Sequence, residues 1–168
     1  MVLTSGSTIY VASKNWRQDS GVLAFLMPKE LAYQSSYEGW RRLGGNGTAY
    51  FQEFHDWSKS GHPFDPVKED FMTFFIGCNQ PGDYTVPVKS YVKASTDRSK
   101  ARRWLDLTEA RSHLNEIPGV AGQVIPGRTA FTFAKNRKEL NDFSLIAGEC
   151  AYIGREGVEF YPQELLLG

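Results

Sequence analysis

Apolar positions along this chain change period several times, and those changes predict the elements. Residues 7–13 alternate, with Ile9 and Val11 on one face, as in a half-buried strand. Residues 21–27 are almost continuously apolar and predict a central strand. A helix is expected over residues 28–43. Pro28 suits its first turn, Tyr33, Tyr37 and Trp40 fall at helical spacing, and Gly44-Gly45-Asn46-Gly47 stops it. Arg41 and Arg42 close its last turn, where the helix dipole favours cations.

Thr48 is a fair N-cap for a second helix over about residues 49–59, with Phe51, Phe54 and Ser58 sharing a face; residues 48–54 also fit a period of two. Asp65-Pro66 opens a third helix reaching about Ile76, with Val67, Phe71, Phe74 and Phe75 inward. After the turn at residues 79–83, Val86, Val88 and Val92 mark a strand, and Pro87 hints at a sheet edge. The clearest helix spans about 97–116, capped by Thr96 or Asp97 and striped by Trp104, Leu107 and Leu114. Pro118-Gly119 ends it. Residues 120–125 and 129–134 then flank the Pro126-Gly127 turn, and strands are expected at 142–147, 150–153 and 158–161. The expected fold class is therefore α+β: one domain over residues 1–168, with N-terminal strands, a helical middle, one long helix and a C-terminal antiparallel meander.

A length of 168 residues fits one domain with an adequate core. Lys plus Arg equals Asp plus Glu at 19 each, which excludes a DNA mimic or a histone-like binder. Charge is nevertheless uneven. Residues 45–84 are locally acidic and residues 85–140 locally basic. Cys78 and Cys150 form no C-x-x-C pair and are expected to be reduced. No segment has the length and apolarity of a membrane span, and the N-terminus lacks a signal-peptide pattern, so a cytoplasmic protein without membrane contact is expected.

No complete catalytic or cofactor motif is legible. His55-Asp56, His62 and Asp65 lie close in sequence, but not at the spacing of a zincin; a polar helix end is the simpler reading. No motif pairs either cysteine with a histidine, and no G-x-S-x-G elbow is present. The four-residue glycine segment lacks the lysine of a phosphate loop. The densest basic run is Lys93, Arg98, Lys100, Arg102 and Arg103, where Arg102 can also pair with Asp106 at helical spacing.

One segment is similar to a known family. Tyr91-Val92-Lys93-Ala94-Ser95-Thr96-Asp97, leading to Ala101 and Trp104, resembles the strand-to-helix element of ADP-ribosyltransferases. The resemblance implies an NAD site in which Arg17 holds the phosphates, Ser95 orders the cleft and a late acid, Asp142, contacts the ribose. The family's Ser-Thr-Ser and Glu-x-Glu patterns are incomplete here.

The function expected from the sequence is a non-catalytic interaction module without cofactor, an inhibitor or accessory protein of the kind phages and mobile elements carry. Its basic run would bind a macromolecular partner, a protein in preference to a nucleic acid, and block a complex that handles nucleic acid. The alternatives are the NAD-dependent transferase and a virion or assembly component.

Overall fold

In a computed structural model the described residues are 21–42, 50–60, 69–77, 85–94 and 112–146. They build one mixed sheet of six strands: β1 (Leu23–Pro28), β2 (Tyr50–Lys59), β3 (Phe71–Gly77), β4 (Thr85–Lys93), β5 (Leu114–Gly122) and β6 (Thr132–Ala134). Spatial order is β1-β3-β2-β4-β5-β6, antiparallel throughout except for the parallel β2–β4 pair at its centre. Two short helices accompany it, α1 (Glu38–Arg41) and α2 (Arg137–Ile146).

This corrects the expected architecture of a helical middle, a long helix and a C-terminal meander. The second predicted helix is β2, and the third, where it is described, leads into β3; its start at residues 65–68 lies outside the described residues. A bulge explains the first error. Register jumps between Phe51, opposite Ile76, and Glu53, opposite Phe75, so Gln52 is an extra residue. Phe51 and Phe54, three apart as on a helix, therefore both reach the buried face of a strand. In β3 the cause is apolar residues on both faces. Met72, Phe74 and Ile76 are buried while Phe71, Thr73 and Phe75 are half-buried, a pattern that fits either period.

The long helix cannot extend to residue 116, because Leu114–Gly122 is β5, paired along its whole length with β4. The rest of that helix, from 97 to 111, lies outside the described residues. The strand expected at 142–147 is instead within α2 through Ile146. Those at 7–13, 150–153 and 158–161 lie outside the described residues. Residues 28–43 form no continuous helix: β1 runs through Pro28, then come 3-10 turns at Lys29–Ala32 and Ser35–Tyr37 before α1. Residues 21–27 were expected at the sheet centre, but β1 pairs only with β3 among the described residues. Pro87 lies in β4, an inner strand, opposite Val120 of β5.

The core lies on one face of the sheet. Phe54 is fully buried, with its ring 5.4 Å from Phe51, 5.2 Å from Phe74 and 5.2 Å from Phe131, all edge-to-face. Leu31, Ala32 and Trp40 from the segment after β1 cover this cluster, and Phe131 N–H donates to Ala32 C=O at 2.9 Å. Arg41, 3% exposed, straps the cover down. It donates to the carbonyls of Leu31 (2.9 Å) and Gln34 (2.7 Å) and to Thr129 Oγ1 (3.1 Å). The expected turn at Pro126-Gly127 is present: Arg128 N–H bonds Ile125 C=O, and Gly127 has φ +75°, a conformation glycine adopts without strain.

Candidate functional site

The opposite sheet face is built from the alternate residues of β2, β3 and β4. Glu53, His55 and Trp57 of β2 stand beside Phe71, Thr73 and Phe75 of β3 and Lys89, Tyr91 and Lys93 of β4. All are half-buried, unlike the sealed aromatics of the core. Trp57 stacks on Tyr91 with ring centroids 4.2 Å apart and planes 10° from parallel. The indole N–H of Trp57 donates to Thr73 Oγ1 at 2.9 Å. His55 sits 4.6 Å from Phe75 and 5.4 Å from Tyr91, centroid to centroid.

Charges border this aromatic array. Lys89 Nζ lies 2.6 Å from Glu53 Oε1, and His55 Nε2 lies 3.1 Å from the same oxygen. Burial pushes the Glu53 carboxyl up, but hydrogen bonds from Lys89 and His55 outweigh it and hold the group below the usual carboxylate range. The Lys89 ammonium is correspondingly raised by Glu53. Burial and the neighbouring Glu116 carboxylate, with which it hydrogen-bonds, both raise the Tyr91 phenol. The face is thus amphipathic and balanced in charge, with flat rings held rigid by stacking.

A second feature lies on the core side, where β6 stops short. A cleft of about 270 Å³ opens between β5, β6 and the start of α2. Val88, Ile117, Val120 and Phe133 give it apolar walls, and Asp56, Ser90 and Glu139 contribute polar groups. Asp56 is held by Lys29 at 2.7 Å and by both the hydroxyl and the N–H of Ser58. Burial raises the Asp56 carboxyl, and those hydrogen bonds more than reverse the effect, leaving it below its ordinary value.

The residues singled out from sequence are distributed differently from expectation. His55 and Asp56 are neighbours on a strand and point to opposite faces, so they do not converge on a metal. His62 and Asp65 lie outside the described residues, and no group of three or more metal-ligating side chains occurs among the described ones. Lys93 ends β4 on the aromatic face, opposite Leu114. Arg98, Lys100, Arg102 and Arg103 lie outside the described residues, as do Arg17, Ser95, Cys78, Cys150 and Trp104. Asp142 is exposed on α2, not at the mouth of a strand, which removes the placement that the transferase resemblance implied for it. No helix among the described residues is long and apolar enough to cross a membrane.

The Trp57–Tyr91 array is hidden in the sequence because residues 49–59 also fit helical spacing, which scatters Glu53, His55 and Trp57 around a cylinder. The alternation of those three residues was the available signal.

No protein-family model matches the chain, and no curated protein matches it.

Proposed function

We propose that the protein is a non-catalytic interaction module that binds a partner protein through the amphipathic sheet face of β2, β3 and β4, blocking or scaffolding that partner. The observation that carries this reading is the half-buried Trp57–Tyr91 stack with its charged border. Interfaces are enriched in aromatic rings whose conformational entropy is already spent, ringed by polar groups that set register. Balanced charge on this face suits a protein surface better than a phosphate backbone, which demands net positive charge. The basic run begins on the same face, since Lys93 alternates with Tyr91 and Lys89. Arg98, Lys100, Arg102 and Arg103 follow it in sequence and lie outside the described residues.

The test is affinity capture with the wild type and a Lys89→Glu, Lys93→Glu variant whose thermal melt is unchanged. A partner held in fixed proportion by the wild type and lost by the variant supports the reading. Equal retention by both would remove this face from the interface.

A further inference from the structure

Among the described residues, β5 is only half used by the sheet. It pairs with β4 along all nine of its residues, but β6 covers only Val120, Ala121 and Gly122 on its other side. The chain leaves that line after Ala134 for a defined reason. Asn136 Oδ1 accepts the N–H of Glu139, and the Glu139 carboxylate accepts the N–H of Lys135, which starts α2 and turns the backbone away. Asn115, Glu116, Ile117 and Pro118 are all exposed, and Ile117, a large apolar residue, is 50% exposed.

Hydrogen-bond phase shows which backbone groups face outward. Ala94 N–H donates to His113 C=O at 2.8 Å, one step beyond the Lys93–Leu114 pair. Antiparallel ladders alternate, so the odd residues of β5 bond to β4 and the even residues point away from it. Leu114 and Glu116 therefore direct both N–H and C=O outward, and Pro118 its C=O. No strand of the described residues meets them. Pro118 falls where its missing N–H does not interrupt the β4 ladder, and its outward position shortens the free edge, as proline commonly does at sheet edges.

We propose that the β5 edge from Leu114 to Pro118 binds a short extended segment of a partner protein as an added antiparallel strand, continuing the line of β6. Backbone pairing supplies affinity in this mode, and pockets for alternate side chains supply specificity. Here the alternation is legible. Side chains on the Ile117 face enter the cleft between Ile117, Val88 and Phe133, which has room for an aliphatic group. Side chains on the other face lie against the exposed Glu116 carboxylate. The segment is thus one of alternating aliphatic and basic residues. The inference rests on the interaction-module reading but uses the backbone edge of β5 and the cleft beside Ile117 rather than the Trp57–Tyr91 stack, so the two fail separately.

The probe is a fluorescein-labelled, end-capped hexapeptide of alternating valine and lysine, titrated into the full chain and followed by anisotropy and by amide hydrogen exchange. Saturable binding is expected, with new protection at the Leu114 and Glu116 amides. Asn115 and Ile117, already bonded to β4, should change little. Ile117→Asp should weaken binding about tenfold or more, as loss of an apolar anchor does, while Lys89→Glu, Lys93→Glu, which adds negative charge beside Glu116, should not weaken it. A peptide N-methylated at its strand-facing amides should bind no better than background. No saturation at millimolar peptide would overturn the proposal. So would binding that survives both Ile117→Asp and N-methylation, or binding lost only in the Lys89→Glu, Lys93→Glu variant. A wild-type dimer in sedimentation that Ile117→Asp dissociates would make a second copy the occupant and also overturn it.

Discussion

Trp57 and Tyr91 lie face to face on neighbouring parallel strands, 4.2 Å between ring centroids, with the indole N–H fixed by Thr73. Each ring covers the other on a half-buried face, so the pair links β2, β3 and β4 on the side away from the core. Trp57→Ala should cost about 2–3 kcal/mol, less than the roughly 3–5 kcal/mol of a fully buried aromatic. Tyr91→Phe keeps the stack but loses the bond to Glu116, and should cost about 0.5–1.5 kcal/mol. Urea unfolding with an unchanged slope reads both values. A loss below about 0.5 kcal/mol for Trp57→Ala would show the stack to be unimportant for stability.

The Lys29–Asp56 pair makes stability depend on acid. Asp56 has a depressed pKa in the folded protein, so its contribution is fully present above the unfolded value of about 3.9 and disappears as pH falls through the lower folded value. Asp56→Asn should therefore destabilise the protein by about 1–3 kcal/mol at neutral pH. The gap between wild type and variant should close below pH 4. Thermal melts from pH 7 down to pH 2.5 test this, and a gap constant across that range would contradict it.

Arg41 is a buried guanidinium serving two carbonyls and a hydroxyl. Arg41→Met should cost about 3 kcal/mol, because the buried Leu31 carbonyl loses this partner and the ties to Gln34 and Thr129 are lost with it. Arg41→Lys should recover only part, since an ammonium cannot reproduce the fork that spans Leu31, Gln34 and Thr129. Chemical denaturation of both variants gives the comparison, and a lysine variant as stable as wild type would rule out the fork.

Gly122 and Leu140 fit by mutual omission. A Cβ at Gly122 would fall 2.7 Å from Leu140 Cδ2, and Leu140 is 4% exposed, so it has little space to retreat. Gly122→Ala should cost about 1–3 kcal/mol. Combined with Leu140→Ala, the loss should be smaller than the sum by about 1 kcal/mol, because the smaller side chain makes the room the alanine needs. Strict additivity in this double-mutant cycle would show that α2 is not packed against the end of β5.

Local features of the fold were legible where one residue type forces one conformation. The valine alternation of β4, the apolar run that becomes β1 and the Pro126-Gly127 turn all follow from neighbours in sequence. The start of α2 was legible in principle, because Asn136 and Glu139 have the spacing of a helix-capping pair. It was overlooked because residues 142–147 also read as a strand.

The chain by itself determined a neutral, aromatic-rich sequence, an apolar supply sufficient for one core, and the chemistry of each strand face once that strand exists. Tertiary structure alone decided that residues 50–59 and 71–77 are strands. Their aromatic spacing satisfies both a helix and a bulged or two-faced strand, and pairing with β1 and β4 breaks the tie. It also decided the candidate sites. Trp57 meets Tyr91, and β5 keeps an edge that no described strand covers, only because strands distant in sequence lie side by side in a particular order. Strand order is set by long-range pairing energy and leaves no mark in local periodicity.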